Sequence, residues 1–404
     1  MNDPIEFVLH DRLLRANGTT LGADNGIGAA AMLAIIAEHQ IIKHGPLELL
    51  FTTSEEVGFD GAKALDPSWI KSRKIINLDS EDEGEFFIGC AGGGRVNGSW
   101  DLGYVNQPKN HQEYRLEITK LVGGHSGMEI DLGYANAIKL MGRILQGLQC
   151  FGLKVSALNG GDQMNAIPSE AEALVFLPID QVDQAMLIFN GLVTAMRREY
   201  GPLEPNLQIT LEKMDSDDGG VILPNDQEKI LQMIAALPNG VVRFDPNKPT
   251  LVETSNNIGI LKTDIVAGRY QLLITAMYRS SIESQMDYLE SVIGSVFQLA
   301  DGKYEALNRY PAWEPNFGTQ LLALAQSVYQ NLYDTRAEVK TVHAGLECAV
   351  WSRMFPEAEI ISFDPTMRKV HSPDEEVDID SVGRFYDFLL ELLQNTGRFV
   401  MPMT

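Results

Sequence analysis

Apolar strand-like runs alternate with helix-like ones up to about residue 95 and again from residue 309, and a different rhythm fills the stretch between. Alternation of that kind builds a layered α/β domain, and its return late in the chain implies one domain interrupted by another. In the first part, FVLHDRLLRA reads as a hairpin with His10 and Asp11 in its turn, and AAAMLAIIAEHQII as a buried helix. LELLFTT and KIINLD read as strands, joined through GFDGAKALDPSWI as a short helical crossover. The middle carries longer alternating runs, YRLEITKLVG, EAEALVFLPI, NLQITLEKM and RYQLLITAMYRSS, with amphipathic helices such as ANAIKLMGRILQGL. The glycines of GCAGGGRVNG read as a tight turn crossing between the two parts.

Composition narrows the partners. A length of 404 residues exceeds one ordinary core, which agrees with two domains. A formal charge of -23 opposes binding to a phosphate backbone, so nucleic acid is not an expected partner. Cys90, Cys150 and Cys348 are widely spaced and odd in number, which fits neither a disulfide framework nor a thiolate zinc site. The start MNDPIEFVLHDRLL is no signal peptide and no run reaches the 18 apolar residues of a membrane span, so a cytoplasmic location without membrane contact is expected.

The informative acids follow apolar strand runs, where open α/β sheets collect their ligands. Asp24 lies in the GADNG loop before a helix, Glu55 and Glu56 follow LELLFTTS, and Asp79 follows KIINL. Taken singly, each is more often a helix cap or a turn acid. Repetition at three successive strand ends favours a shared crevice. His371, in RKVHSPDEE after the EIISFDP run, could face the same place, although a lone loop histidine is usually an ordinary surface residue. Carboxylates with imidazole and no thiolate suit catalytic zinc or manganese, and adjacent glutamates allow one to bind metal while the other serves as base. HExxH, GxxxxGK[ST] and GxSxG are absent, which removes single-helix zinc proteases, P-loop NTPases and serine hydrolases of the elbow type.

Together the segments GTTLGADNGIG, HGPLELLFTTSEEVGFDGA, INLDSEDEGEFFIGCAGG, LVGGHSGMEI, NGGDQMNAIPSEA, VETSNNIGI, HAGLECAV and HSPDEEV resemble the M20 metallopeptidases, on the side of that family that cleaves dipeptides. The resemblance covers nearly the whole chain. It implies a zinc-aminopeptidase-like α/β catalytic domain, a mostly parallel mixed sheet with helices on both faces, formed by residues 1–95 and 309–404. Residues 96–308 would be an inserted α+β lid and dimerisation domain. Two Zn2+ ions are implied, with Mn2+ or Co2+ as substitutes: Asp24 bridges them, Glu56 and Asp79 are ligands, and His371 holds the second ion. Glu55 would be the general base. By the same resemblance His125 of GGHSG reaches across a homodimer to polarise the scissile carbonyl, and Arg279 binds the substrate carboxylate. Asn165, His343, Gly345 and Glu347 would line the pocket. Read from residues alone, His125 is equally a glycine-flanked turn residue and Arg279 a salt-bridged surface residue. The implied activity is hydrolysis of Xaa-His and other short peptides. A deacylase for N-acyl amino acids would share the metal centre, and a catalytically impaired, dimerising remnant is the third reading.

One departure stands out. Relatives of this kind carry an earlier strand with an HxD motif, whose histidine completes the first zinc site, and no His-x-Asp occurs in this sequence. His10 and Asp11, adjacent in a turn, are not substitutes. The expectation is a weakened first site, in a chain that is a fragment, has its start placed too late, or is shortened with damaged catalysis.

Overall fold

The structure, a computed structural model, describes residues 4–55, 58–215, 220–246 and 248–398. Contacts divide the chain into one unit made of Met1–Cys90 with Pro311–Thr404 and another made of Ala91–Tyr310.

In the first unit, neighbouring residues of strand Glu359–Ser362 serve two different cores. Ile361 packs with Phe86, Ile88, Leu321, Phe388 and Leu392, whereas Ile360 packs with Cys90, Trp313, Cys348 and Trp351. Side chains alternate across a strand, so apolar residues at both parities mean a sheet covered on both faces. The sheet runs in the order Glu338–Val342, Glu85–Cys90, Glu359–Ser362, Lys74–Asn77, with parallel outer pairs and an antiparallel central contact. Helices Ala23–Glu38, Gln320–Tyr333 and Ile379–Arg398 contribute to the first core, and Cys348–Met354 to the second. The hairpin Phe7–His10 and Leu13–Ala16 is extended by Glu376–Asp378 and Met367–Arg368 into a smaller antiparallel sheet.

LELLFTT is not a strand. Residues 47–53 have no ladder partner among the described residues, and Leu47, Leu49, Leu50 and Thr52 line, with Ile75, Ile76 and Trp351, a mostly apolar cavity of about 360 Å³. A run with strand-like composition becomes a strand only when another backbone edge meets it.

The second unit is built on an antiparallel sheet of nine strands among the described residues. Its longest strand, Val252–Val266, pairs with Arg269–Ser280 and with Lys154–Gly160. Helix Ala137–Leu148 buries Ile138, Leu140, Met141, Ile144, Leu145 and Leu148, and Asn136 caps it through the N–H groups of Ile138 and Lys139. The GCAGGGRVNG glycines form no turn. Gly92 to Gly94 lie inside strand Gly92–Asp101, and a Cβ on Gly94 would sit 2.4 Å from Tyr278 Oη. Close approach by a tyrosine, rather than a bend, is what excludes a side chain there.

Candidate active site

Two strand ends create the first cluster. Lys74–Asn77 and Glu359–Ser362 run parallel with Asn77 opposite Ser362, so the residues two positions beyond, Asp79 and Asp364, emerge side by side. Asp364 is buried; its Oδ2 accepts the N–H of Ser80 at 3.1 Å and of Glu81 at 3.4 Å, and its Oδ1 has no hydrogen-bond partner among the described residues. Burial holds the carboxyl of Asp79 well above its ordinary range, and Asp24, Glu55 and Asp364 push it the same way. Asp364 is raised by burial too, with Asp24 and Glu81 adding to it, and Glu81 is raised by burial and by Asp24. Burial and mutual repulsion outweigh the pull of His371 and Arg368 on Glu81, so these acids share a space in which negative charge is in excess.

Asp24 enters from the start of helix Ala23–Glu38. Gly22 is left-handed at φ 73°, and Asp24 is itself non-helical at φ -82°, ψ 110°, so the chain turns there before the helix becomes regular. The helix thus begins six residues before the apolar run that announced it. The Asp24–Asn25 peptide is cis. Asp24 Oδ2 lies 2.9 Å from Nε2 of His371, which is itself left-handed at φ 59° in the loop after Met367–Arg368. Glu55 sits in the turn after residue 53, close enough to Asp79 to raise it. Glu56 lies outside the described residues.

The site draws Asp24, Asp79, Glu55 and His371 into one neighbourhood. Among the described residues no three His, Cys, Asp or Glu side chains converge as a ready-made metal cage. Asp24 meets His371 on one side and interacts with Asp79 on the other. The donors nevertheless fit a divalent cation, since hard carboxylate oxygens and an imidazole gather around acids that burial and one another hold up, and Asp364 Oδ1 has no donor among the described residues. Asp364 and Glu81 were not singled out from the sequence. The rule that found Asp79, an acid just past an apolar strand run, applies equally to EIISFDP.

His343 and Gly345 are half-buried in the turn after strand Glu338–Val342. Glu347 is buried at the start of helix Cys348–Met354, with Oε2 accepting from Thr52 Oγ1 at 3.1 Å and Oε1 lacking a hydrogen-bond partner among the described residues. Burial pushes its carboxyl up, against the pull of Thr52.

The second unit holds the other expected residues together. Ser126 N–H donates to Asn165 O at 2.8 Å and His125 bridges to Ala166, which stitches GGHSG beside NAIP. His125 Nδ1 accepts the N–H of Gly127 at 3.2 Å and of Met128 at 3.0 Å, so the neutral ring carries its proton on Nε2. Burial lowers the His125 pKa, Arg279 lowers it further and Glu129 opposes them. Arg279 is 4% exposed. Its Nη1 donates to Tyr310 Oη at 2.7 Å and its Nη2 to Met277 Sδ at 3.6 Å, while Nε has no hydrogen-bond partner among the described residues. A surface, salt-bridged arginine is therefore not what this residue is. A buried guanidinium on neutral partners keeps a positive charge available to an anion.

The model of peptidase family M20/M25/M40 matches residues 4–395. The chain belongs to this family. As an M20 peptidase it is a member of a metal-dependent hydrolase family acting on peptide bonds. It is 38% identical over 394 residues to the cytosol non-specific dipeptidase of Escherichia coli K12, covering 97% of this chain and 80% of that protein. The crystal structure of aminoacylhistidine dipeptidase from Vibrio alginolyticus superposes with a TM-score of 0.91 at 36% identity, covering 98% of this chain and 79% of that one. Aminopeptidase PepT from Bacillus cereus, at 16% identity and a TM-score of 0.57, shares the fold. No helix of this M20 peptidase is long and apolar enough, among the described residues, to cross a membrane.

Proposed function

We propose that this M20 peptidase hydrolyses dipeptides, Xaa-His among them, at a centre of two zinc ions assigned to Asp24, Glu56, Asp79 and His371. The observation that carries the reading is the gathering of Asp24, Glu55 and His371 around the half-buried Asp79 at adjacent parallel strand ends. When bound, divalent cations supply Lewis acidity and ease the ionisation of a water. Glu55 accepts the proton of the attacking water and later delivers it to the leaving amine. His125, neutral with hydrogen on Nε2, donates to the carbonyl oxygen as negative charge develops there. Arg279 donates to the free C-terminal carboxylate in a charge-assisted pair, which restricts substrates to short peptides. The Ala91–Tyr310 unit serves as lid and homodimer interface, and the protein works in the cytoplasm.

The test uses metal-stripped protein reloaded with zinc, manganese or cobalt and a panel of dipeptides set against N-acyl amino acids. Dipeptide cleavage that a chelator abolishes and that Glu55→Gln lowers by about 100-fold or more is expected. Cleavage of the acylated amino acids alone would turn the assignment to deacylation, and full activity in Glu55→Gln would remove the general base.

A further inference from the structure

The acids and the histidine of the cation site sit on loops, and loops keep a geometry only where something fixes their backbone. For the Asp24 loop that residue is Glu375. It is 2% exposed, and its carboxylate accepts three consecutive backbone N–H groups: Gly22 on Oε2 at 2.8 Å, and Ala23 at 2.8 Å and Asp24 at 3.1 Å on Oε1. These groups open helix Ala23–Glu38, whose own N-cap residue, Gly22, supplies no side chain. Helix N-termini carry unsatisfied donors and a partial positive charge, so an anion satisfies them better than a neutral acceptor does.

What sets this cap apart is where it comes from. Glu375 lies four residues after His371 on one short segment, and His371 Nε2 meets Asp24 Oδ2 at 2.9 Å. At the other end of that segment Asp364 accepts the N–H groups of Ser80 and Glu81, directly after Asp79. Residues 364–375 thus carry one donor of the site and grip the backbone beside two others. We propose that Glu375 is a positioning residue for the cation site, holding Asp24 against His371, and that Asp364 does the same for Asp79; this rests on the metal-site reading above. A glutamine at 375 would keep one accepting oxygen but turn an NH2 toward the remaining N–H, so at least one of the three bonds is lost.

The experiment measures zinc affinity of the full chain by competition with a chromophoric chelator, for wild type, Asp24→Ala, Glu375→Gln, Glu375→Asp and Glu375→Ala, with far-UV circular dichroism as the check on folding. Glu375→Gln is expected to bind zinc about 10 to 100-fold more weakly with an unchanged spectrum, and Glu375→Asp, which keeps the charge, to recover part of the loss. Affinity within about twofold of wild type in Glu375→Gln overturns the inference. Wild-type zinc binding that ignores Asp24→Ala would instead defeat the metal-site reading, so the two failures are distinguishable. Should Glu375→Ala not fold, Glu375→Gln carries the comparison, and hydrogen exchange reads the loop directly. Faster exchange confined to residues 22–24 supports positioning, and unchanged exchange there overturns it.

Discussion

Arg279→Met separates a residue kept for a ligand from one kept for the core. Methionine preserves an unbranched apolar stem in the space that the guanidinium occupies, and it removes a buried charge that has no acidic partner among the described residues. The variant loses the charge-assisted bond to Tyr310, worth about 1.5–3 kcal/mol. Against this it sheds an unsatisfied Nε, about 1–3 kcal/mol, and the burial of an unpaired cation, several kcal/mol. The two gains overlap, since Nε is part of the same buried guanidinium, so the balance predicts a variant at least as stable as wild type, read as a urea midpoint no lower than wild type at unchanged m-value. The second half of the experiment adds a carboxylate ligand. A free amino acid at about 100 times its dissociation constant should stabilise wild type by about 2.7 kcal/mol and leave Arg279→Met unmoved. If the variant unfolds more easily by more than about 2 kcal/mol, and the ligand stabilises both proteins alike, the guanidinium belongs to the architecture and the recognition role fails.

Two further outcomes concern pH. The folded pKa of His125 lies below its ordinary value of 6.5 through burial and Arg279, so the unfolded chain takes up the proton first. Its contribution to stability is complete above that ordinary value and is lost as pH falls through the lowered one. The acid limb of kcat/KM should therefore lie below pH 6.5 and move upward in Arg279→Met; a limb that ignores Arg279→Met would deny the coupling. The raised acids behave in the opposite sense. With Asp79 held above 3.8 in the folded state, its contribution is full below that value and is lost as pH rises through the folded pKa. In chelator, Asp79→Asn should gain in urea midpoint over wild type as pH rises, and saturating zinc should reverse the order; midpoints that run parallel at every pH would show that Asp79 is not under this strain.

Reading the chain from its residues reached the layered first unit because its evidence is local. Adjacent apolar residues in short runs, such as KIIN and EIIS, are enough to announce strands covered on both faces. What local pattern could not supply is the partner. LELLFTT has the composition of a strand and no ladder among the described residues, and VETSNNIGILKTDIV hides the longest strand of the sheet because its first part, VETSNN, is mostly polar. Asn256 and Asn257 are fully buried, and their amides donate to the carbonyls of Pro238 and Ala166, acceptors that only the folded chain brings near. The glycine run was misjudged for the same reason, since Tyr278 excludes a Cβ at Gly94 from a strand far away in sequence.

The candidate site divides along the same line. Sequence position nominates acids at strand ends, but which of them share a space follows from register: Asn77 opposite Ser362 puts Asp79 beside Asp364, a pairing between residues 285 apart whose outcome no local window contains. The same holds for Glu375, whose grip on Gly22, Ala23 and Asp24 closes a loop through most of the polypeptide. A site assembled by such long-range bonds depends on the sheet being formed first, because each bond is weak until the backbone it holds has few alternatives left. Burying several carboxyl groups together then works against the fold unless protons or a cation neutralise them, so cation binding and folding of the first unit are coupled through the same residues.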